Sequence, residues 1–490
     1  MIKTMVLYLE LLLIFMLSLA DGKVSRKIQG GSNVSPTIVN YQVSIQINNE
    51  HICSGIIIGE HYVLTAATCI VLDHDIILGN IKVRAGSNDL LDNDSSFLSY
   101  HEVSLVIIHP TFNIRNFWSD DICILKLSTG LRLHLFYLRP AKLALNKSIK
   151  NRLEISGWSK DVTYLLDSIL TQPLQKIFIE RPRHCDKIFR RKLDVKQNCG
   201  YGSPKSSCLN LFWFLLKQVD NNISTKMITA IILNIKLILI FVILVVNGKL
   251  SKKIHGGTRV PIDYINFQVS IQMTNAHICS GTIISDIHIL TSATCVTLNN
   301  NVVLGNIEIR SGSNYIDGNH SSDVTFSKVS LVIYHPDYNM FNFWINDICI
   351  LKLTTKLTIE KWNRNFANLL RDRITKATLY VSGWGGQFGG VIPDLDVDPT
   401  QHLQRINIKR VHQMECMDIF KRYFHENQHC AYTIPKGTTH ITLGDSGSPV
   451  LAYRKVFGII SVVSDIDYAP FIYTKIYSYI DWIDEMLIKY

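Results

Sequence analysis

The chain has 490 residues, of which 47% are hydrophobic and 18% are charged, a balance typical of globular proteins rather than of disordered ones. Its formal net charge of +10 is spread along the sequence, without a long basic block or a basic patch interleaved with aromatic residues, so nucleic acid is not expected as a partner. The length allows two or more domains.

The N-terminus has the pattern of a secretory signal peptide, which we place at residues 1–20. Lys3 precedes an apolar stretch at residues 6–19, and the small residues Ser18 and Ala20 are placed for cleavage before Asp21. A secreted chain meets oxidising conditions, so its 11 cysteines are free to form disulfides.

An internal repeat organises most of the remaining sequence. The tetrapeptide IQGG at residues 28–31 returns as IHGG at residues 254–257, an offset of 226 residues. We call residues 28–199 copy one and residues 254–490 copy two; copy one lacks the last part of the repeated unit and is predicted to be a truncated domain. The same offset carries HICSG (51–55) onto 277–281, DICIL (121–125) onto 347–351, and Trp158 onto Trp384.

Between the copies lies a second segment that resembles a signal peptide. Residues 200–226 have no counterpart in copy two and are predicted to be a linker, and residues 227–248 repeat the apolar N-terminal pattern, beginning with Met227. Three interpretations stay open: two neighbouring genes joined in one sequence by mistake, which the internal methionine favours; a cleaved internal signal; and a transmembrane helix at residues 228–246, which would contain Asn234 and Lys236.

The pattern of short apolar runs predicts an all-β fold. Runs rich in Val, Ile, Phe and Tyr, at residues 267–272, 302–309 and 456–463, are separated by Gly, Asn, Asp and Pro. Residues 476–490 differ, because Ile480, Ile483 and Leu487 recur at helical spacing. We therefore expect many short strands and a closing amphipathic helix.

The cysteines predict disulfides rather than a metal site. In copy two, Cys279 is expected to pair with Cys295 and Cys416 with Cys430, which leaves Cys349 as a buried thiol between apolar neighbours. No set of cysteines and histidines has zinc-ligand spacing, and we expect neither a metal ion nor a cofactor. The equivalent cysteines of copy one are Cys53, Cys69, Cys185 and Cys199.

Four motifs in order carry a family resemblance. They are LTSATC (290–295), NDICIL (346–351), VSGWG (381–385) and GDSGSP (444–449). Together they resemble the chymotrypsin and trypsin family of serine proteases over all of copy two and most of copy one. The resemblance implies two six-stranded antiparallel β-barrels with a C-terminal helix, in tandem with the truncated copy.

The resemblance also implies a catalytic site that lacks one member. Ser446 matches the nucleophile and Asp347 the buried carboxylate, but Thr294 stands where the family has its general-base histidine, and Thr68 holds the same place in copy one. A threonine hydroxyl is no base near neutral pH. The backbone amides of Gly444 and Ser446 would form the oxyanion hole.

Other histidines are expected to be structural. His277 and His288 lie near Thr294 in sequence but match positions outside the catalytic set. His440 matches the floor of the specificity pocket, where an acidic residue would select Lys or Arg, so tryptic specificity is not expected. Val463 and Phe471 stand where the family usually has glycines, so the pocket is expected to be filled.

The resemblance further implies an activation site. Cleavage after Lys253 would free the Ile254 ammonium to pair with Asp445, which copy two retains, and Lys27 is placed similarly in copy one. The alternative is a basic linker that nothing cuts. We expect an extracellular, secreted homologue of serine proteases that binds proteases, their inhibitors or protein substrates without catalysis; the alternatives are an active serine endopeptidase and a form tethered to the membrane through residues 228–246.

Overall fold

The described part of the chain is mainly antiparallel β-sheet. No helix within it is long and apolar enough to cross a membrane. The predicted signal peptide, the segment 227–248 and most of the predicted linker lie outside it. The computed structural model describes residues 32–35, 37–73, 76–113, 119–134, 136–141, 152–158, 174–180, 201–203, 257–299, 302–316, 323–360, 362–373, 377–385, 402–436, 439–463 and 469–490.

Copy one contains a closed six-stranded barrel and a smaller sheet. Strands β2, β3, β4, β7, β8 and β9 form the barrel, which is closed by pairing of β8 with β9, and β1, β10, β11 and β12 form a separate four-stranded sheet. Strand β12 lies in the stretch predicted to be a linker. The described strands of copy one are β1 (Ser32–Asn33), β2 (Gln42–Ile47), β3 (Glu50–Gly59), β4 (Tyr62–Thr65), β5 (Val71–Asp73), β6 (Ile76–Leu78), β7 (Ile81–Ala85), β8 (Ser99–Ile108), β9 (Cys123–Leu127), β10 (Arg152–Gly157) and β11 (Gln175–Glu180); β12 (Tyr201–Ser203) follows copy one in the sequence.

Copy two contains two closed six-stranded barrels. The first is built from β14, β15, β16, β19, β20 and β21 and closed by β19 with β20; the second is built from β22 to β27 and closed by β23 with β24. The strands of copy two are β13 (Thr258–Arg259), β14 (Gln268–Met273), β15 (Ala276–Ile283), β16 (His288–Thr291), β17 (Thr297–Asn299), β18 (Val302–Leu304), β19 (Ile307–Ser311), β20 (Thr325–Tyr334), β21 (Cys349–Leu353), β22 (Leu379–Gly383), β23 (Gln404–Arg410), β24 (Gln428–Ile434), β25 (Pro449–Ala452), β26 (Lys455–Ile460) and β27 (Phe471–Lys475).

The predicted all-β fold class, with tandem barrels and a C-terminal helix, is confirmed. Alternation along the strands gives each barrel its interior, because successive side chains of a strand point to opposite faces. In β8, for example, His101, Val103 and Leu105 are buried, whereas Tyr100 and Glu102 are exposed. The run at residues 302–309 is divided between β18 and β19, which enter different sheets.

In the part of the chain that the structure describes, two helices accompany the barrels: α1 (Gln413–Phe420) and α2 (Ile480–Lys489). Helix α2 follows a short 3-10 turn, Ile476–Tyr479, and buries Ile480, Ile483 and Met486. Met486 fills the buried position of the last turn, and Leu487, which the helical spacing had suggested, is only half-buried.

Disulfides and buried thiols occupy the expected places among the described residues. Bridges join Cys279 to Cys295 and Cys416 to Cys430, and Cys53 to Cys69 in copy one. Cys349 is a buried free thiol, and so is Cys123 at the equivalent position of copy one. The predicted partners Cys185 and Cys199 lie outside the described residues.

Candidate active site

Thr294 binds directly to Asp347. A short 3-10 turn, Ala293–Cys295, follows β16 and carries Thr294 next to the Cys279–Cys295 disulfide. The Thr294 backbone N–H donates to Asp347 Oδ1 at 2.9 Å, and its hydroxyl Oγ1 donates to Asp347 Oδ2 at 2.7 Å. One residue therefore satisfies both oxygens of the carboxylate.

Asp347 is fully buried at the start of β21. Burial raises the pKa of its carboxyl group, while hydrogen bonds from Ser461 and Thr294 act in the opposite direction. Ser461 donates its hydroxyl to the same Oδ2 that Thr294 contacts. The carboxylate is held by hydroxyl and amide donors, none of which can accept a proton from a serine and pass it on near neutral pH.

Copy one repeats this arrangement. The Thr68 backbone N–H donates to Asp121 Oδ1 at 2.8 Å, and the Thr68 hydroxyl donates to Asp121 Oδ2 at 2.9 Å. The same two contacts at equivalent positions of both copies indicate that the threonine is a regular partner of the aspartate in this chain.

The Ser446 turn packs against the segment that carries Thr294. Gly447 has a φ of +77°, in the left-handed region that favours glycine, and a Cβ built there would lie 2.2 Å from Thr291 Oγ1 and 3.1 Å from the Cys295 sulfur. Ser446 is almost buried, and its hydroxyl has no hydrogen-bond partner among the described residues. The structure thus brings the Ser446 turn next to the Thr294 segment.

Asp445 lies beneath this turn, and backbone amides hold it. Its Oδ1 accepts from Gly385 N and its Oδ2 from Thr442 N, both at 2.8 Å. Burial raises the pKa of Asp445 to about 7, against the lowering effect of these two hydrogen bonds. Lys253 and Ile254, its predicted activation partners, lie outside the described residues.

His277 supports the serine turn, a contact that the sequence did not reveal. Its Nε2 lies 3.1 Å from the carbonyl oxygen of Gly444, and its Nδ1 lies 2.8 Å from Ser270 Oγ. Because the carbonyl can only accept, Nε2 carries the proton and Nδ1 accepts from Ser270. Burial lowers the pKa of His277 to about 4, so the imidazole stays neutral at physiological pH and acts as a brace.

The other histidines lie elsewhere in the two barrels. His288 is on β16, where its Nδ1 lies 2.8 Å from Ser285 Oγ, and burial lowers its pKa. His440 is buried and lies six residues before Ser446. Neither makes a described hydrogen bond to Ser446.

The residues predicted to fill the specificity pocket belong to the apolar core of the second barrel of copy two. Val463 and Phe471 are both buried, and they share one cluster with Ile441 and Tyr473. Phe471 is 1% exposed, so its ring occupies barrel interior rather than solvent-filled space.

One contact of the site had no clear sequence signal, the hydrogen bond from Ser461 to Asp347. Ser461 follows β26 directly, and nothing in the neighbouring sequence marks its hydroxyl as a partner of Asp347. The described residues contain no group of three or more His, Cys, Asp or Glu side chains that could hold a metal ion.

Comparisons with known proteins agree with this geometry. The family model described as Trypsin matches residues 28–208 and 254–483. "Trypsin beta" of Drosophila erecta is 30% identical over 213 residues, which cover 44% of this chain and 79% of that protein. "Duodenase-1" of Bos taurus is 29% identical over 258 residues (52% of this chain, 96% of that protein), and "Trypsin II-P29" of Gallus gallus is 29% identical over 249 residues (50% and 92%).

Proposed function

This chain belongs to the trypsin family of serine proteases, and from that premise we propose that it is a secreted, non-catalytic homologue that binds proteases, their inhibitors or their protein substrates. Its role would be that of a decoy, a scaffold or a cofactor in extracellular proteolysis. Each part of the proposal rests on a different group of residues.

The contact between Thr294 and Asp347 carries the proposal. The family mechanism needs an imidazole that removes the proton of the serine hydroxyl and returns it to the leaving group. Here the aspartate that would orient that imidazole is bound instead by the threonine, at 2.9 Å and 2.7 Å. Loss of the histidine alone lowers turnover about a million-fold in a well-studied protease of this mechanism.

The packing of Val463 and Phe471 supports the same conclusion independently. A substrate side chain must enter a pocket beside the serine before its peptide bond reaches attack geometry. Both residues instead lie in the core cluster of the barrel. A histidine placed at residue 294 would therefore still face a substrate with no place to dock.

The Ser446 turn and the disulfides are compatible with a binding role. The Ser446 turn keeps a glycine at residue 447, where φ is positive, and three disulfides cross-link the described barrels. Disulfides persist in oxidising compartments, which supports an extracellular location. A stable fold of this family with a disabled catalytic centre suits a role in binding proteases or their inhibitors.

The alternative is an active serine endopeptidase. Its supporting observation is Ser446 itself, which keeps its hydroxyl in a turn that packs against the segment carrying Thr294. A fluorophosphonate probe separates the two functions, because it labels an activated serine and leaves an unactivated one unmodified. We expect no labelling and no hydrolysis of peptides or casein from pH 6 to 9; turnover that disappears in Ser446→Ala would refute the proposal.

The binding role has its own test. Purified protein is added to an active trypsin-like protease, with and without a protein inhibitor of that protease, and proteolysis is followed. We expect a concentration-dependent change in rate that Ser446→Ala leaves intact, since the serine takes no part in binding chemistry. No change at micromolar protein under either condition would contradict a role in protease regulation.

A membrane-tethered form would differ only in location. Residues 228–246 would then hold the protein in the cell membrane, and it would partition into detergent instead of appearing in the medium. Fractionation of expressing cells distinguishes the two locations.

A further inference from the structure

Two short hairpins are exchanged between the copies. The hairpin of β5 and β6 belongs to copy one and pairs antiparallel with β20 of copy two. The hairpin of β17 and β18 belongs to copy two and pairs antiparallel with β8 of copy one. Exchange of an identical element between like domains is the arrangement of domain-swapped dimers, and here both domains lie in one chain.

The two junctions have the same register. Ile77 pairs with Val332 at one junction, and Val303 pairs with Val106 at the other. The repeat offset of 226 residues converts each pair into the other. Each barrel therefore presents a strand edge that fits either hairpin, and the structure uses the hairpin of the other copy.

At each junction, the backbone N–H of a glycine donates to the strand of the other copy. Gly79 N donates to Ser330 O at 2.8 Å, and Gly305 N donates to Ser104 O at 2.9 Å. A Cβ at Gly79 would lie 2.3 Å from a backbone oxygen of β20, and a Cβ at Gly305 would lie 2.1 Å from a backbone oxygen of β8. These are approaches to backbone, so a larger residue would force the hairpin away from the accepting strand.

At the contact between the two barrels, equivalent positions of the two copies carry opposite charges. Glu102 and Lys328 are equivalent in the repeat, and Lys328 Nζ lies 3.6 Å from Glu102 Oε1 of copy one and 4.0 Å from Glu308 Oε1 of its own copy. They line a polar cavity together with a second equivalent pair, Asn80 and Asn306. Equivalent residues meet in this way at a twofold-like axis. Two copies of the same kind would place Glu against Glu or Lys against Lys, whereas unlike copies place Glu against Lys.

We propose that the exchanged hairpins form a recognition surface that joins copy one specifically to copy two. The partner of each barrel is the unlike copy of the same chain, selected by the Glu102–Lys328 pair. The two copies accordingly stay together without a covalent link when the chain between them is cut. This inference is independent of the proposed function, because it concerns the barrels and not the Ser446 site.

Paired cysteines test the exchange in the intact chain. Ile77→Cys with Val332→Cys places two thiols at directly paired positions across the exchanged junction, where Cβ atoms of opposite residues lie about 5 Å apart. The matched control, Ile77→Cys with Val106→Cys, would cross-link only if the hairpin returned to its own barrel. We expect the first pair to cross-link within single chains and the control to stay reduced. Cross-linking of the control, or none in the first pair, overturns the proposal.

Cutting the chain tests the association itself. A specific protease sequence is inserted within residues 204–226, the full chain is purified and cut, and native mass spectrometry and gel filtration follow the two fragments. We expect one complex of both fragments, and separation when Gly79→Ala and Gly305→Ala are combined. Separated wild-type fragments, or association unaffected by the two alanines, would overturn it.

A charge swap tests the selection of unlike copies. The side chains of Lys328 and Glu102 are 38% and 48% exposed, so their pair contributes modestly. We expect Lys328→Glu to weaken the fragment complex about five-fold at low salt, and Glu102→Lys in the same chain to restore it. Equal dissociation of the wild type, the single and the double variant would remove the charge pair from the proposal.

Discussion

Replacement of Asp445 by asparagine should change how the stability of the chain depends on pH. Asp445 is 1% exposed, and its two oxygens accept from the amides of Gly385 and Thr442. An asparagine fits the same volume but has no charge to bury. The comparison of the two chains therefore isolates the cost of one buried carboxylate while the bond after Lys253 is intact.

The magnitude follows from the pKa of Asp445, which burial raises from an ordinary value of 3.8 to about 7. The folded chain holds this proton more tightly than the unfolded chain, so the contribution of Asp445 to stability is fully present below pH 3.8 and is lost as the pH rises to about 7. At 1.36 kcal/mol per pKa unit, the loss amounts to about 4 kcal/mol. Asparagine has no such loss.

The assay is equilibrium urea unfolding followed by tryptophan fluorescence between pH 4 and pH 8. The free energy of unfolding of Asp445→Asn minus that of the wild type should rise by about 4 kcal/mol over this range. Other titrating groups, such as His277 and Asp347, are present in both chains and cancel in this difference. Asp484→Asn is the control: Asp484 is 44% exposed, and the Arg371 hydrogen bond lowers its pKa, so its difference should be small and opposite in sign. A difference for Asp445→Asn that stays constant from pH 4 to pH 8 would refute the reasoning.

Two further predictions concern the same turn. Thr294→His alone should restore little peptidase activity in initial-rate assays, because the packed Val463 and Phe471 still obstruct the pocket. Adding Val463→Gly and Phe471→Gly should increase the activity. Robust activity from the single change would contradict the filled pocket. Cleavage after Lys253 by a trypsin-like enzyme should raise the melting temperature, because the new ammonium beside Asp445 forms an ion pair that costs about 3 to 5 kcal/mol to break from one side. Asp445→Asn should abolish this increase. Equal melting temperatures of the cut and uncut wild type would show that the ion pair does not form.

The sequence predicted the barrels because their signals are local. Strand alternation, cysteine spacing and the four motifs each occupy a few neighbouring residues, and they sufficed for the all-β fold class and for the Cys279–Cys295 bridge. The sequence placed Thr294 at the histidine position of the family pattern, but its two hydrogen bonds to Asp347 were not predicted from the sequence.

The contacts that escaped prediction join residues whose sequence pattern fits more than one partner. The strands β6 and β18 carry the same apolar pattern at the same offset, so nothing local decides which copy each one joins. The brace from His277 to the Gly444 carbonyl crosses 167 residues of sequence, and a histidine on an apolar strand gives no sign of its acceptor. Non-local pairing of this kind is settled only by the packed barrel.

The two buried free thiols of the described residues, Cys123 and Cys349, can be used to measure how often the barrels open. Cys123 and Cys349 sit at the start of the last strand of two different barrels, and burial raises the pKa of both, so neither reacts with an alkylating reagent while its barrel is closed. The rate at which each thiol is modified therefore measures how often its own barrel opens. Because the two cysteines fall in different proteolytic peptides, mass spectrometry can measure both alkylation rates in one experiment. Equal alkylation rates would mean that the exchanged hairpins make the two barrels open together. Unequal rates would mean that each barrel opens alone.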